Sequence, residues 1–148
     1  MRNPEISEKQ LTPSINKKDL IAVRKMEPGD INLIYATWLK GLYYGNDVYG
    51  FIDKNVYMEN YHRVIEVLLT RPTVTVNIAC LKEDPEVVLG YSVAEGNTLH
   101  WVFVKPAWRG IGLCKDLVSK NTNVVTHITK IGMGIVKKHR HIKFNPFL

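Results

Sequence analysis

The sequence predicts a mixed α/β protein in which a mostly antiparallel sheet carries helices on both faces. Three observations support this. Two early segments repeat apolar residues at three- and four-residue spacing; three Val-, Thr- and aromatic-rich runs then follow one another through short turns; and the last run ends at Pro106, ahead of a glycine turn and another helical pattern. The length of 148 residues suits one domain with its own core.

Residues 1–17, with Pro4, Pro13 and few apolar anchors, are expected to form a flexible arm, and residues 18–148 a single domain. Leu20 to Val23 supplies a first strand within Asp19 to Met26. Pro28-Gly29-Asp30 then starts a helix whose Ile31, Ile34, Tyr35, Trp38, Leu39 and Leu42 share one face. Leu42 to Phe51 is expected to be a loop, with Tyr43, Tyr44, Tyr49 and Phe51 set among Gly45 and Gly50. From Asp53 to Thr70, Tyr57, Tyr61, Val64, Ile65 and Leu68 mark a second helix, which Arg71-Pro72 ends.

Thr73 to Leu81 and Val87 to Ala94 read as a hairpin turned by Lys82-Glu83-Asp84-Pro85, and Glu95-Gly96-Asn97 turns the chain into a central strand ending at Val104. Apolar residues at 111, 114, 117 and 118 predict a helix that fades near Asn121 to Asn123. Val124 to Ile128 would be a strand parallel to the central one, by the right-handed crossover rule. Ile131 to Lys138 is a short helix and His141 to Leu148 a last strand.

Composition narrows the function less than the fold. A net charge of +6 suits a polyanionic partner, whether nucleic acid, anionic cofactor or phosphorylated substrate. The two cysteines, Cys80 and Cys114, stand in no paired motif, so neither a disulfide framework nor a zinc site is indicated. No His-Glu-x-x-His or carboxylate cluster points to a metal. No apolar run approaches the eighteen or so residues of a membrane span, and a cytoplasmic protein is expected.

The stretch Arg109-Gly110-Ile111-Gly112 carries the clearest chemistry. Glycines that open a helix leave backbone N–H groups unpaired at one spot, which suits an anion, and Arg109 adds a full charge. Lys115 stands where a dinucleotide fingerprint needs its third glycine, and no Gly-Lys-Ser/Thr of a P-loop exists. A phosphate binder of another kind remains.

The run Val104-Lys105-Pro106-Ala107-Trp108-Arg109-Gly110-Ile111-Gly112-Leu113-Cys114 resembles the acyl-CoA-binding motif of the GNAT superfamily of N-acyltransferases, with Cys114 where that family has Gly or Ala. The element order over residues 19–148 is also that family's order. The resemblance implies a GNAT-like fold, acetyl-CoA as co-substrate, a primary amine acceptor and no metal. Residue by residue, it implies that the backbone of Val102, Phe103 and Val104 holds the pantetheine arm and that Arg109, Gly110, Ile111, Gly112, Leu113 and Cys114 hold the pyrophosphate. The aromatic loop with Tyr43, Tyr44 and Tyr49 would help form the acceptor site; core packing is the other reading of those rings.

Strand alternation would put Thr98, His100, Val102 and Val104 on one face and Trp101 and Phe103 on the other. His100 would then face the cofactor cleft as general base, where arylalkylamine N-acetyltransferases carry the second histidine of a pair and Thr98 replaces the first. A structural hydrogen bond is the other reading of His100, and a water chain the other base. The family's usual acid is a Tyr in the penultimate helix; this chain has none after Tyr91, which leaves the thiolate unassisted or served by His127 or water. Family members usually end with one more strand, so a homodimer completing the C-terminal sheet edge is an expectation. The alternative is a GNAT-fold binding module that contacts nucleic acid or protein through the basic face of Lys137, Lys138, His139, Arg140, His141 and Lys143.

Overall fold

The structure, a computed structural model, describes residues 16–148. Its strands are β1 (Ile21–Lys25), β2 (Thr75–Leu81), β3 (Val88–Glu95), β4 (Thr98–Val104), β5 (Val124–Val125) and β6 (Lys143–Phe144). The helices are α1 (Ile31–Tyr44), α2 (Lys54–Thr70), α3 (Leu113–Leu117) and α4 (Lys130–Lys138). All six strands form one sheet in chain order. The first four pair antiparallel, and β4–β5 and β5–β6 pair parallel. The predicted fold class is therefore the observed one.

The sheet buries one face under α1 and α2. Ile34, Trp38 and Leu42 recur at four-residue spacing and, with Ile65 and Leu68, cover Ile78, Tyr91, Val93 and Trp101. Trp38 and Trp101 stack with ring centroids 5.7 Å apart, worth about 1 kcal/mol beyond burial. Gly41 makes that approach possible, since a Cβ there would sit 3.0 Å from the Trp101 ring. The opposite face carries α3, whose Leu113 and Leu117 close over Ala79, Leu89 and Val104.

Two expectations are corrected, and a third lies outside the described residues. The helix after the glycine turn has five residues, and its buried positions are 113 and 117 rather than 111, 114, 117 and 118; Cys114 is exposed and Val118 has already left the helix. The aromatic loop is mostly helical, because α1 runs through Tyr44 and Asp47–Phe51 forms a 3-10 turn. The expected N-terminal arm lies outside the described residues except for Asn16, whose side chain caps a 3-10 turn, and Lys17, which begins that turn.

The start of α1 is fixed by an ion pair with little access to water. Asp30 takes Arg24 of β1 in both carboxylate oxygens, at 2.7 and 2.9 Å, and also accepts the Glu27 N–H at 2.8 Å. The Arg24 guanidinium holds the Asp30 carboxyl below its usual range, against the opposing effect of burial. The paired carboxylate thus stabilises the fold above about pH 4, and that contribution is lost as acid protonates it. Asp30→Asn is expected to cost about 3 kcal/mol in urea unfolding at pH 7, and the gap between variant and wild type should narrow as the pH is lowered below 4.

Candidate functional site

Strands β4 and β5 stay together for only two residues. Thr98 pairs with Val124 and Leu99 with Val125; after the Thr126 N–H reaches the Leu99 carbonyl at 3.1 Å, the strands part. From His100 to Val104, β4 is paired only with β3, and its other edge has no strand beside it. The cause is local. Val93 faces Trp101 and Ala94 faces Leu99, so His100 is an extra residue in β4, a bulge that bends the strand and steepens its twist.

The bulge also overturns the expected alternation around His100. Trp101 stacks on Trp38 of α1, yet the adjacent His100 also lies toward the helices, lining a cleft with Val67, Leu68 and Arg71 of the α2 end. Val102 and Val104 do face α3, as expected. His100 is thus on the opposite face from them, with 0% of its surface exposed. Its Nδ1 lies 2.8 Å from the Thr126 hydroxyl and its Nε2 lies 3.2 Å from Glu95 Oε1. Burial holds its imidazole below the usual value, against the pull of Glu95.

Glu95 is itself well held. Its carboxylate accepts from the Thr73 hydroxyl, from His100 and, at 3.0 Å, from Arg71, and in that order these keep it ionised. Thr126 continues the chain on the other side, its Oγ1 lying 2.9 Å from Nδ1 of His127. His127 lines both this cleft, of about 300 Å³, and a larger neighbouring one of about 520 Å³. The larger cleft is lined mainly by aromatic and aliphatic side chains, among them Val48, Tyr49, Tyr61, Val64 and Met133. Trp38 and Tyr61 pack nearly perpendicular to the His127 ring at centroid distances of 5.3 and 6.3 Å. Burial, with His100 second, lowers the His127 pKa to about 4.

Of the three tyrosines assigned to the acceptor site, Tyr49 lines the larger cleft, its hydroxyl 3.0 Å from that of Tyr61. Tyr43 packs on Tyr57 and Tyr44, with Lys54 over both Tyr43 and Tyr44, and neither Tyr43 nor Tyr44 is among the lining residues. Sequence reasoning missed Thr126 and Glu95, which look like a strand-end threonine and a turn acid, and it considered His127 only as an acid. The Thr-His pair within the predicted strand Val124 to Ile128, which the structure ends at Val125, was the one available signal.

The glycine turn lies past the other end of β4. Gly110 and Gly112 both have φ of 82°, a conformation that costs side-chain-bearing residues about 1–2 kcal/mol. Among the described residues, the N–H groups of Gly110, Ile111, Gly112 and Leu113 meet no hydrogen-bond acceptor. Cations surround them. Lys18 Nζ would lie 3.1 Å from a Cβ on Gly112 and pairs with Asp116 at 3.3 Å, while Lys17 donates to the Ala107 carbonyl at 2.9 Å. Arg109 folds back so that its Nε donates to the Val104 carbonyl at 2.8 Å. No group of three or more metal-ligating side chains occurs among the described residues, and no helix there is long and apolar enough to cross a membrane.

No family model and no curated protein matches the chain. Solved structures do. A Clostridium acetobutylicum protein assigned as an acetyltransferase, solved with acetyl-CoA, is 14% identical with a TM-score of 0.53, over 87% of this chain and 94% of that one. A Pyrococcus furiosus protein assigned as an acetyl transferase is 16% identical with a TM-score of 0.50, over 84% and 78%. The chain also spans 61% of apo-form YjaB from Escherichia coli, matched over 66% of its own length at 17% identity and a TM-score of 0.46. The likeness is one of fold, the mixed α/β fold that this chain shares with these assigned acetyltransferases.

The depressed value of His127 has a consequence for stability. The unfolded chain binds a proton at this position as the pH falls from 6.5, whereas the folded chain waits until about 4, so acid favours unfolding across that window. His127→Gln should remove that share of the pH slope in urea unfolding followed from pH 7 to pH 4.

Proposed function

We propose that the chain is an acetyl-CoA-dependent N-acetyltransferase that acts on a primary amine. The observation that carries this reading is the parting of β4 and β5 after two paired residues, because it leaves the edge of β4 from His100 to Val104 with no strand beside it, although Arg109 takes the Val104 carbonyl. Val102, Phe103 and Val104 would bond the pantetheine arm there, and one N–H of the same edge would polarise the acyl carbonyl. Bound acetyl-CoA supplies an activated acyl group on a good leaving group.

The turn of Arg109, Gly110, Ile111, Gly112, Leu113 and Cys114 would take the pyrophosphate. Its unengaged N–H groups, with Lys17, Lys18 and Arg109 around them, fit that diphosphate in charge and size. Cys114 is exposed beside the turn and leaves the backbone accessible. The acceptor would enter from the cleft on the helix side of the sheet. Its lining carboxylate, Asp47, is paired with Lys130 at 3.1 Å, and the rest is largely aromatic and aliphatic. An amine carried on an apolar or aromatic body therefore suits it better than a polyamine. His100, sealed and with both ring nitrogens engaged, does not touch the acceptor in this reading.

Acetyl-CoA at about a hundredfold its Kd should raise the Tm by about 5–10 °C, and Arg109→Ala should reduce that shift. Mass spectrometry of an amine panel incubated with acetyl-CoA should show singly acetylated aromatic or alkyl amines. Absence of both stabilisation and product overturns the enzyme. Salt-sensitive binding to nucleic acid without turnover would favour a binding module that uses the exposed Lys137, Lys138, Arg140 and Lys143 instead.

A further inference from the structure

Four side chains from three parts of the sheet form one hydrogen-bonded line: Glu95 at the end of β3, His100 in the β4 bulge, and Thr126 and His127 just past β5. With the buried His100 ring neutral, proton counting along it leaves one arrangement. An ionised carboxylate only accepts, so the neutral His100 ring carries its hydrogen on Nε2, toward Glu95, and Nδ1 is bare. Bare Nδ1 must accept from the Thr126 hydroxyl, which has one hydrogen and has now used it. Thr126 Oγ1 can then only accept from His127, whose hydrogen is on Nδ1. The other nitrogen of His127, Nε2, is left with a lone pair. It makes no hydrogen bond of ordinary geometry to a described residue, although the ring lies close to the His100 backbone, and it is not a sealed polar atom.

We propose that Glu95, His100 and Thr126 hold His127 in its Nδ1–H tautomer, so that the Nε2 lone pair serves as the base for the acceptor amine. This rests on the acetyltransferase reading above. As the amine nitrogen bonds to the acyl carbon of acetyl-CoA, its proton passes to Nε2 of His127, the carbon–sulfur bond breaks, and the electron pair leaves on sulfur. The nitrogen turns acidic as the new bond forms, so a neutral imidazole is sufficient base. The resulting imidazolium donates through Nδ1–H to Thr126, in a line that ends on the Glu95 carboxylate.

The surroundings favour a neutral ring before the step. Trp38 and Tyr61 pack against it nearly at right angles, and burial opposes its protonation. The nearby charges are already matched: Arg71 with Glu95, Asp47 with Lys130, and Arg63 with Glu59. His127 is the residue that would touch substrate, whereas Glu95, His100 and Thr126 are positioning residues.

Nitrogen NMR of the histidine side chains in the full chain without ligand at pH 7 tests the tautomer directly. His127 should show a protonated Nδ1 and a bare Nε2, and His100 the reverse; hydrogen on Nε2 of His127 overturns the proposal. Thr126→Val should release His127 from this tautomer and lower kcat about 10²-fold without weakening the acetyl-CoA thermal shift, while Thr126→Ser should restore both spectrum and kcat. His127→Gln should lower kcat at least as far and remove the acid limb of the pH profile. Unchanged kcat in both Thr126→Val and His127→Gln overturns the base role. A wild-type protein that neither binds nor turns over acetyl-CoA removes that role along with the acetyltransferase reading, and the spectra then decide the tautomer alone.

Discussion

The parallel contact between β4 and β5, two residues long, is the constraint on which the rest of the site depends. Beyond Leu99 and Val125 the strands separate, and β4 is left with hydrogen-bonding groups that no strand satisfies. A gap in the middle of a sheet is costly unless something spans it or fills it. One spanning element is a side-chain bond, His100 to Thr126 at 2.8 Å, placed just where the strands diverge. The extra residue in β4 that makes the strand bend is the same residue that makes this bond. Divergence and closure therefore have one origin.

The two faces of the sheet contribute unequally. On one, α1 and α2 supply a continuous core of Ile34, Trp38, Leu42, Ile65 and Leu68, with the start of α1 tied to β1 by Asp30 and Arg24. On the other, α3 contributes two buried leucines and little else. Rigid packing thus supports the side where the histidines and the aromatic cleft lie, and the thin side leaves the glycine turn and its cations open to solvent. The proposed acetyltransferase would use that asymmetry, with the cofactor at the open glycine turn and the acceptor on the packed side.

Electrostatics divides the same way along β4. Lys17, Lys18 and Arg109 gather beyond one end, where unengaged backbone N–H groups add partial positive charge. At the other end, burial keeps both histidines uncharged, and the carboxylates nearby are matched by Arg71 and Lys130. An anion is favoured at the first end. A neutral nucleophile is favoured at the second.

Most of the elements were legible in the residues alone because their signals are local: apolar spacing for α1 and α2, Pro106 as a strand stop, and glycine positions for the turn. The glycine motif likewise needs only adjacent residues to be recognised, and the fold it implied is the fold observed. What tertiary structure decided was everything that depends on register. One extra residue in β4 moves His100 to the opposite face, and no property of the sequence around it announces a bulge. The line from Glu95 through Thr126 to His127 joins positions brought together only by strand pairing, since side chains up to 26 residues apart in number have to meet at hydrogen-bond distance. Periodicity reports which residues are buried within one element; which polar groups face one another across elements is set by packing.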